Sequence, residues 1–300
     1  MKKKIELKRI NGEIIFSHEC EDNSVVKTLK AFQMSGEEFD LSGIDLQNAD
    51  LGFFSFSGVN LSGSKLNGSN LEHTTFGRAN LEGADLSGAN LRGSYLGYAN
   101  LTNANLIYTN LRSANLCYAN LTYANLWCAS LSEAHFINAK LIRTNLSDAD
   151  LSGADLSGAD LSGSSLDRAN LSNTDLRSAN LHNISFSEKT AFLLPQCPSE
   201  GSFVAWKEAS GKIVKLLVTE DAKRSSATSL KCRCSKAKVL AIENMDGSES
   251  ELKEVASSFY RFFMYRVGET VEVEDFDNDR WNECSDGIHF FISREMAVKY

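Results

Sequence analysis

Two segments in the last third of the chain carry the side chains best suited to chemistry. Ala222 to Lys238 holds Lys223, Arg224, Lys231, Arg233, Lys236 and Lys238 with no acid among them. Ser225, Ser226, Thr228, Ser229 and Ser235 are interleaved. Cations beside hydroxyls suit an anion such as a phosphate or a nucleotide. Arg280 to Phe291 adds an indole, a thiol and an imidazole. The candidate anion-binding set is Lys223, Arg224, Ser225, Ser226, Lys231, Arg233, Lys236, Trp281 and His289. The competing reading is a solvated basic loop, or a surface that pairs with the acidic run Glu269 to Asp279.

The same region offers Cys232, Cys234, Cys284 and His289 as zinc ligands. Cys-x-Cys at that distance from the other two is not a standard zinc spacing, and no metal is expected. A Cys284/His289 nucleophilic pair is disfavoured as well: five residues apart on a strand, the two face opposite ways. The sequence instead favours His289 as a core or pocket residue and Cys284 as a small buried apolar one. No catalytic residue is assigned and no cofactor is expected. A nucleotide-binding or enzymatic module stays as the alternative to a pure binding function.

What must position these groups is read from the rest of the chain. The chain has 300 residues, a net charge of −8 and a pI near 5.3, which excludes a generally basic nucleic-acid binder. No apolar run reaches the roughly 18 residues of a membrane span. Met1-Lys2-Lys3-Lys4 is basic, but no apolar segment follows, so no signal peptide is expected. Seven dispersed cysteines imply no disulfide framework, and a reducing cytoplasm is the expected compartment.

One period dominates the middle. From Leu41 to Phe186 every fifth residue is Leu or Phe, 30 centres without a break. Ala, Ser or Thr stands two before most centres, and Asn or Asp one before, as in Ala84-Asp85-Leu86-Ser87-Gly88. At about 100° per residue a helix would scatter these leucines round its cylinder. A flat strand would flip the centre to the other face at each repeat. A short extended piece followed by a corner satisfies the pattern, with the centre and the small residue inward and the other three outward. No unit buries its own Leu, so coils must stack.

This unit resembles the pentapeptide-repeat family. The resemblance implies a right-handed, four-sided β-helix with four units per coil, hence about 7.5 coils and a rod of about 36 Å. Residues 20 apart then stack. Tyr98 falls on Tyr118, Tyr108 on Cys128, Ile107 beside Trp127, and Tyr123 between Asn103 and Arg143. Tyr95, Tyr98, Tyr108, Tyr118, Tyr123 and Trp127 form an aromatic belt two coils tall, a candidate protein-binding surface. The competing reading is cross-strand stabilisation. Some family members imitate DNA with rows of carboxylates and inhibit topoisomerases. Here the mid-rod ladder is mostly neutral Asn, from Asn100 to Asn125, and the acids gather at Asp148 to Asp160. That disfavours mimicry. Phe39, Ile44, Phe54 and Val59 replace the small inward residue in the first coils.

Before the repeat, Ile5 and Leu7, the turn Asn11-Gly12 and Ile14 to Phe16 predict a hairpin. Asp22-Asn23-Ser24 predicts the start of a helix carrying Val25, Val26, Leu29 and Phe32. Together they would cover the first coil. After it, Pro195 and Pro198 mark a linker. Strand-like runs follow at Phe203 to Trp206, Ile213 to Val218, Ala237 to Ile242, Val271 to Val273 and Ile288 to Ile292, with a last helix from Arg294 to Tyr300. This part resembles a domain of unknown function found after pentapeptide repeats in bacteriophage and bacterial proteins. The resemblance rests on Lys223 to Ser226, Ser235 to Lys238, Tyr265-x-Val267-Gly268-Glu269 and Trp281 to Phe291. It implies a phage or prophage setting and supplies no catalytic residues.

The expected organisation is a cap over 1–38, a β-helix over 39–187, a linker over 188–199 and a small, mostly β domain over 200–300. The expected function is non-catalytic binding, of a protein partner or a small anion, in antagonism or sequestration of a host factor. DNA and membrane are not expected as partners, and homo-oligomerisation is left open. Topoisomerase inhibition by mimicry is the third reading.

Overall fold

The computed structural model describes residues 2–36, 39–187, 189–191, 197–198, 200–226, 231–258, 262–277 and 287–299. The chain divides into two compact units, Met1–Ala191 and Phe192–Tyr300.

The first unit opens with an antiparallel hairpin, β1 (Lys2–Lys8) and β2 (Ile14–Glu21). Gly12 takes the left-handed conformation that the turn requires (φ 89°). Ser24 then caps α1 (Val25–Met34), its side chain accepting the Lys27 N–H at 3.2 Å. Leu29 and Phe32 are buried, and the Phe32 ring meets Phe16 and Phe39 at 4.8 and 5.1 Å. The end of the hairpin pairs with the first coil. Ile10 N–H donates to Gly43 C=O (2.7 Å) and Asp45 N–H to Lys8 C=O (2.9 Å). The Arg9 guanidinium reaches Ser42 and Asp40. The hairpin thus covers the open sheet edge of the first coil along its Gly43–Asp45 side.

Above the cap, residue i bridges residue i+20 in parallel, from Asp45–Lys65 to Ser165–Ser185. Four units therefore close one coil. Leu or Phe centres from Leu41 to Leu176 are buried, and so are the alanines two before them from Ala79 to Ala169. Where that position is Thr, its hydroxyl spans to the coil below, as in Thr109 to Leu86 C=O (2.9 Å) and Thr144 to Leu121 C=O (2.8 Å). Ile44, Phe54 and Val59 are buried too, with Phe54 and Phe56 rings 4.6 Å apart. The Asn/Asp position closes an Asx turn. Asn110 Oδ1 accepts the Arg112 N–H (3.2 Å), while its Nδ2 donates to Asn90 Oδ1 of the coil below (3.0 Å). Asparagine can run as a ladder because its amide both donates and accepts.

The period ends in a register change. Asn170 bridges Ala191, a step of 21, and Thr190 supplies the inward hydroxyl, bonded to Leu166 C=O at 2.8 Å. Phe186, read from the sequence as an inward centre, is 46% exposed.

The second unit is an antiparallel sheet with a helix. Its elements are β3 (Phe203–Ala209), β4 (Lys212–Val218), β5 (Arg224–Ser226), β6 (Lys231–Cys234), β7 (Lys236–Glu243), β8 (Glu254–Ala256), β9 (Met264–Arg266), β10 (Thr270–Glu272), β11 (Ile288–Phe291) and α2 (Arg294–Lys299). Seven strands run in the order β10-β7-β4-β3-β11-β6-β5, and β8 pairs with β9. Ser210-Gly211, both at positive φ, turn β3 into β4. One face carries the main core, including Ala205, Val214, Leu216, Cys232, Val239 and Phe290, packed with Val255 and Tyr265. The other face packs Ile213 and Phe291 with Ala297 of α2. No helix among the described residues is long and apolar enough to cross a membrane.

Candidate functional site

The corners of the rod decide what it displays. From Gly43 to Asn183 the second residue after each centre lies at φ between 52° and 73°, the left-handed region. For a side chain with a Cβ this conformation costs about 1–2 kcal/mol. Glycine relieves it at positions 83, 88 and 93, and again at 153, 158 and 163. Between them, from Tyr98 to Asp148, no corner is glycine. Tyr98, Tyr108, Tyr118 and Tyr123 all occupy such corners, and all are exposed. The sequence pattern treats these positions as free, because nothing in a five-residue period marks a left-handed residue except occasional Gly and Asn.

Twenty-residue stacking assigns each corner to one of four edges. Tyr98 and Tyr118 share one edge, with rings stacked at 4.9 Å and 4° and Arg78 over Tyr98 at 5.9 Å. Tyr123 lies on the next edge, with Arg143 5.9 Å over its ring. Tyr108 lies on the edge after that. The belt therefore wraps three edges, and a flat partner cannot touch Tyr118 and Tyr108 together. The side between Tyr123 and Tyr108 holds Ile107 and Trp127. Tyr108 and Cys128 share an edge, and the Tyr108 ring leans to meet Trp127 edge-on at 5.0 Å.

Trp127 is fastened in place. Its Nε1 donates to Asp148 Oδ2 (2.9 Å), and Arg168 donates to both oxygens of the same carboxylate (2.6 and 2.5 Å). Arg168, and after it the indole N–H, hold the Asp148 carboxyl down to about 2. Tyr95 differs from the other tyrosines. Added Cβ atoms at Gly77 and Gly97 would meet its ring at 2.8 Å and 2.7 Å, so it lies flat across two glycines. The carboxylates of Asp150, Asp155 and Asp160 fall on successive sides, stacked on Asn170, Asp175 and Asn180, and form no single row.

The anion-binding set is spread through the second unit. The basic run contains strands β5 and β6, where the sequence suggests a loop. Arg224 Nη2 donates to Gly201 and Thr219 C=O (2.6 and 2.7 Å), and its Nη1 to Pro198 C=O (3.1 Å). Lys236 pairs with Asp221, and Glu272 of β10 lies opposite it. Ser225 and Arg233 are buried, 3.5 Å apart, with Arg233 over the Phe276 ring at 5.5 Å. Strand alternation puts Lys231, Arg233 and His289 on the face opposite Arg224. Lys223 is exposed and Ser226 contributes strand backbone. Trp281 and Cys284 lie outside the described residues. Cys232 and Cys234 face the core while His289 faces away, and no group of three or more metal-ligating side chains occurs among the described residues.

Sequence reasoning missed two groups. Lys207 points to the core face of β3 and is 9% exposed. Cys197 joins Cys232 and Cys234 in that core.

A four-sided β-helix of stacked five-residue units defines a class of solenoid. The chain belongs to the pentapeptide-repeat family, its residues 40–77, 55–93, 94–126, 129–168 and 154–188 matching pentapeptide repeats. Residues 194–297 match a family of unknown function, DUF5758. Among solved structures the chain is similar to HetL, a pentapeptide repeat protein involved in heterocyst differentiation regulation from the cyanobacterium Nostoc sp. Strain PCC 7120. Identity is 28% over 54% of this chain and 94% of that one, at a TM-score of 0.25. It is also similar to QnrB1, a plasmid-mediated fluoroquinolone resistance protein (22%, 52% and 87%, TM-score 0.35). A third is Rfr23 from the cyanobacterium Cyanothece 51142 (38%, 32% and 61%, TM-score 0.21). No curated protein matches the chain.

Proposed function

We propose that the rod is a non-catalytic binding element for a protein partner, and that the contact is centred on the side bounded by Tyr123 and Tyr108, with Trp127 between them. The observation that carries this is the placement of tyrosine at left-handed corners. Each such residue costs about 1–2 kcal/mol that glycine would avoid. Edge-on or stacked contacts return roughly 0.2–1 kcal/mol per pair. Fold stability alone therefore does not account for aromatics there. Large, rigid, amphipathic side chains on a surface otherwise made of Ser, Asn, Gly and Asp are what a protein interface uses as anchors. The indole, held by Asp148 and Arg168, is pre-organised, which lowers the entropy lost on docking. In the phage or bacterial setting that the resemblance implies, the partner would be a cytoplasmic host protein that the rod sequesters.

The test is the double variant Tyr108→Asn/Tyr123→Asn in the full chain. Asparagine tolerates left-handed backbone, so the thermal midpoint is expected to stay or rise, while partner capture from host lysate falls at least tenfold. A lowered midpoint with capture unchanged would refute the proposal.

A further inference from the structure

Three thiols share the core of the second unit. Cys197, Cys232 and Cys234 are all buried in one apolar cluster. The Cys197 and Cys232 thiols are hydrogen-bonded to each other. The β5–β6 ladder sets Arg224 opposite Cys234 and Ser226 opposite Cys232, so Arg224 sits on the same face of the sheet as both cysteines. Its guanidinium is fixed by the carbonyls of Pro198, Gly201 and Thr219, and so stands beside Cys197 without freedom to swing away.

These surroundings split the three thiols into different roles. The hydrogen bond from Cys232, joined by the Arg224 charge, pushes the Cys197 thiol below its ordinary value against the opposing effect of burial. Burial pushes Cys234 up to about 12, and its Sγ lies 3.9 Å from Ile288 C=O. Cys234 is thus kept as an inert thiol two residues from Cys232 on the same face.

We propose that Cys197 and Cys232 are an oxidant-responsive thiol pair, with Cys197 as the attacking sulfur and Cys232 as the resolving one, and hydrogen peroxide as the oxidant. The Cys197 thiolate attacks one peroxide oxygen. An S–O bond forms, the O–O bond breaks, and the departing hydroxide takes a proton to leave as water. Sulfur is oxidised by two electrons and becomes a sulfenic acid. The Cys232 thiol then attacks that sulfur, the S–S bond forms, the S–O bond breaks, and the Cys232 proton leaves with the hydroxyl as a second water. Two thiols and one peroxide give one disulfide and two waters. The near-complete burial of Cys197 restricts the first step to a small oxidant. The product ties the Cys197-Pro198 segment to β6.

The experiment treats the native full chain with hydrogen peroxide, blocks remaining thiols, and maps its peptides by mass spectrometry without reduction. The expected product joins the Cys197 and Cys232 peptides with the loss of two hydrogens. Cys232→Ser should halt at a sulfenic acid on Cys197, trapped by dimedone, and Cys234→Ser should still form the disulfide. Recovery of all three thiols unoxidised, or a disulfide that survives Cys197→Ser, would overturn the proposal. Since serine variants of core residues can misfold, the unmutated chain gives an independent reading. Brief alkylation at pH 7 should label Cys197 at least about tenfold faster than Cys234, and equal or reversed rates would overturn the assignment.

Discussion

Replacing Lys207 by methionine should stabilise the second unit at neutral pH, and the gain should vanish in alkali. Lys207 lies on the core side of β3 between Ala205 and Ala209, and it makes no ion pair among the described residues. Burial, followed by the charge of Lys231, lowers its ammonium from 10.5 to about 8. Below pH 8 both folded and unfolded chains hold the proton, so the folded state bears the full cost of desolvating the charge. The fall of about 2.5 units corresponds to roughly 3 kcal/mol. Between pH 8 and 10.5 the unfolded chain binds a proton that the folded one does not, and stability rises with pH. Above 10.5 both are neutral and the cost is gone. Methionine matches the length of the lysine stem without the charge, so Lys207→Met should gain about 3 kcal/mol at pH 7 and close to none at pH 10.5. The assay is equilibrium urea unfolding of both full chains at the two pH values, followed through the methyl signals of Ile213 and Ile242. A gain of equal size at both pH values, or a loss at pH 7, would refute the reasoning.

Two further expectations concern the rod. Asn110→Asp keeps the acceptor for the Arg112 N–H but removes the donor to Asn90 Oδ1 and sets a carboxylate oxygen against it. The cost should be about 1 kcal/mol at pH 7 and should shrink as the introduced carboxyl protonates below pH 4, read from thermal midpoints at pH 7 and pH 3. The Asp148 carboxyl, held at about 2, contributes stability that is present above pH 3.8 and lost as pH falls toward 2. Trp127 emission, isolated by Trp206→Phe and Trp281→Phe, should therefore stay constant from pH 8 to pH 4 and shift only below pH 3. A shift centred near pH 4 would show that Arg168 and the indole do not hold the carboxylate.

The repeat was legible because it is enforced at every unit: a Leu that must be buried, a small residue that must let coils approach, an Asx that must close a turn. Twenty-residue stacking followed from it, and the Tyr98–Tyr118 contact could be read directly. The left-handed corners were hidden, because Tyr, Arg, Ser and Glu occupy them, at a cost, alongside the Gly that would mark them. The ring contact of Tyr108 with Trp127 was not legible for a related reason: columns give backbone register, while ring contacts depend on where a long side chain leans. In the second unit, β5 and β6 escaped notice because Lys, Arg, Ser and Cys alternate without an apolar signature. There Cys is the apolar residue, and Arg224 and Arg233 spend their charge on carbonyls and a ring. Lys207 was hidden by the same alternation, since a cation on a core face contradicts the pattern used to find that face.

The corner geometry also bears on how such a surface can change. The strain at each corner is confined to one residue's own φ and ψ, and the core beneath is built from the inward centres and the residues two before them. A new side chain at a corner therefore alters the display without repacking the interior. Each corner is an address defined by edge and coil, and its contents are read together with the corners above and below it, as the Tyr98–Tyr118 stack and the His73 ring against Gly93 show. The glycine-free stretch from Tyr98 to Asp148 is the part of that grid most heavily written, bounded on both flanks by corners left blank.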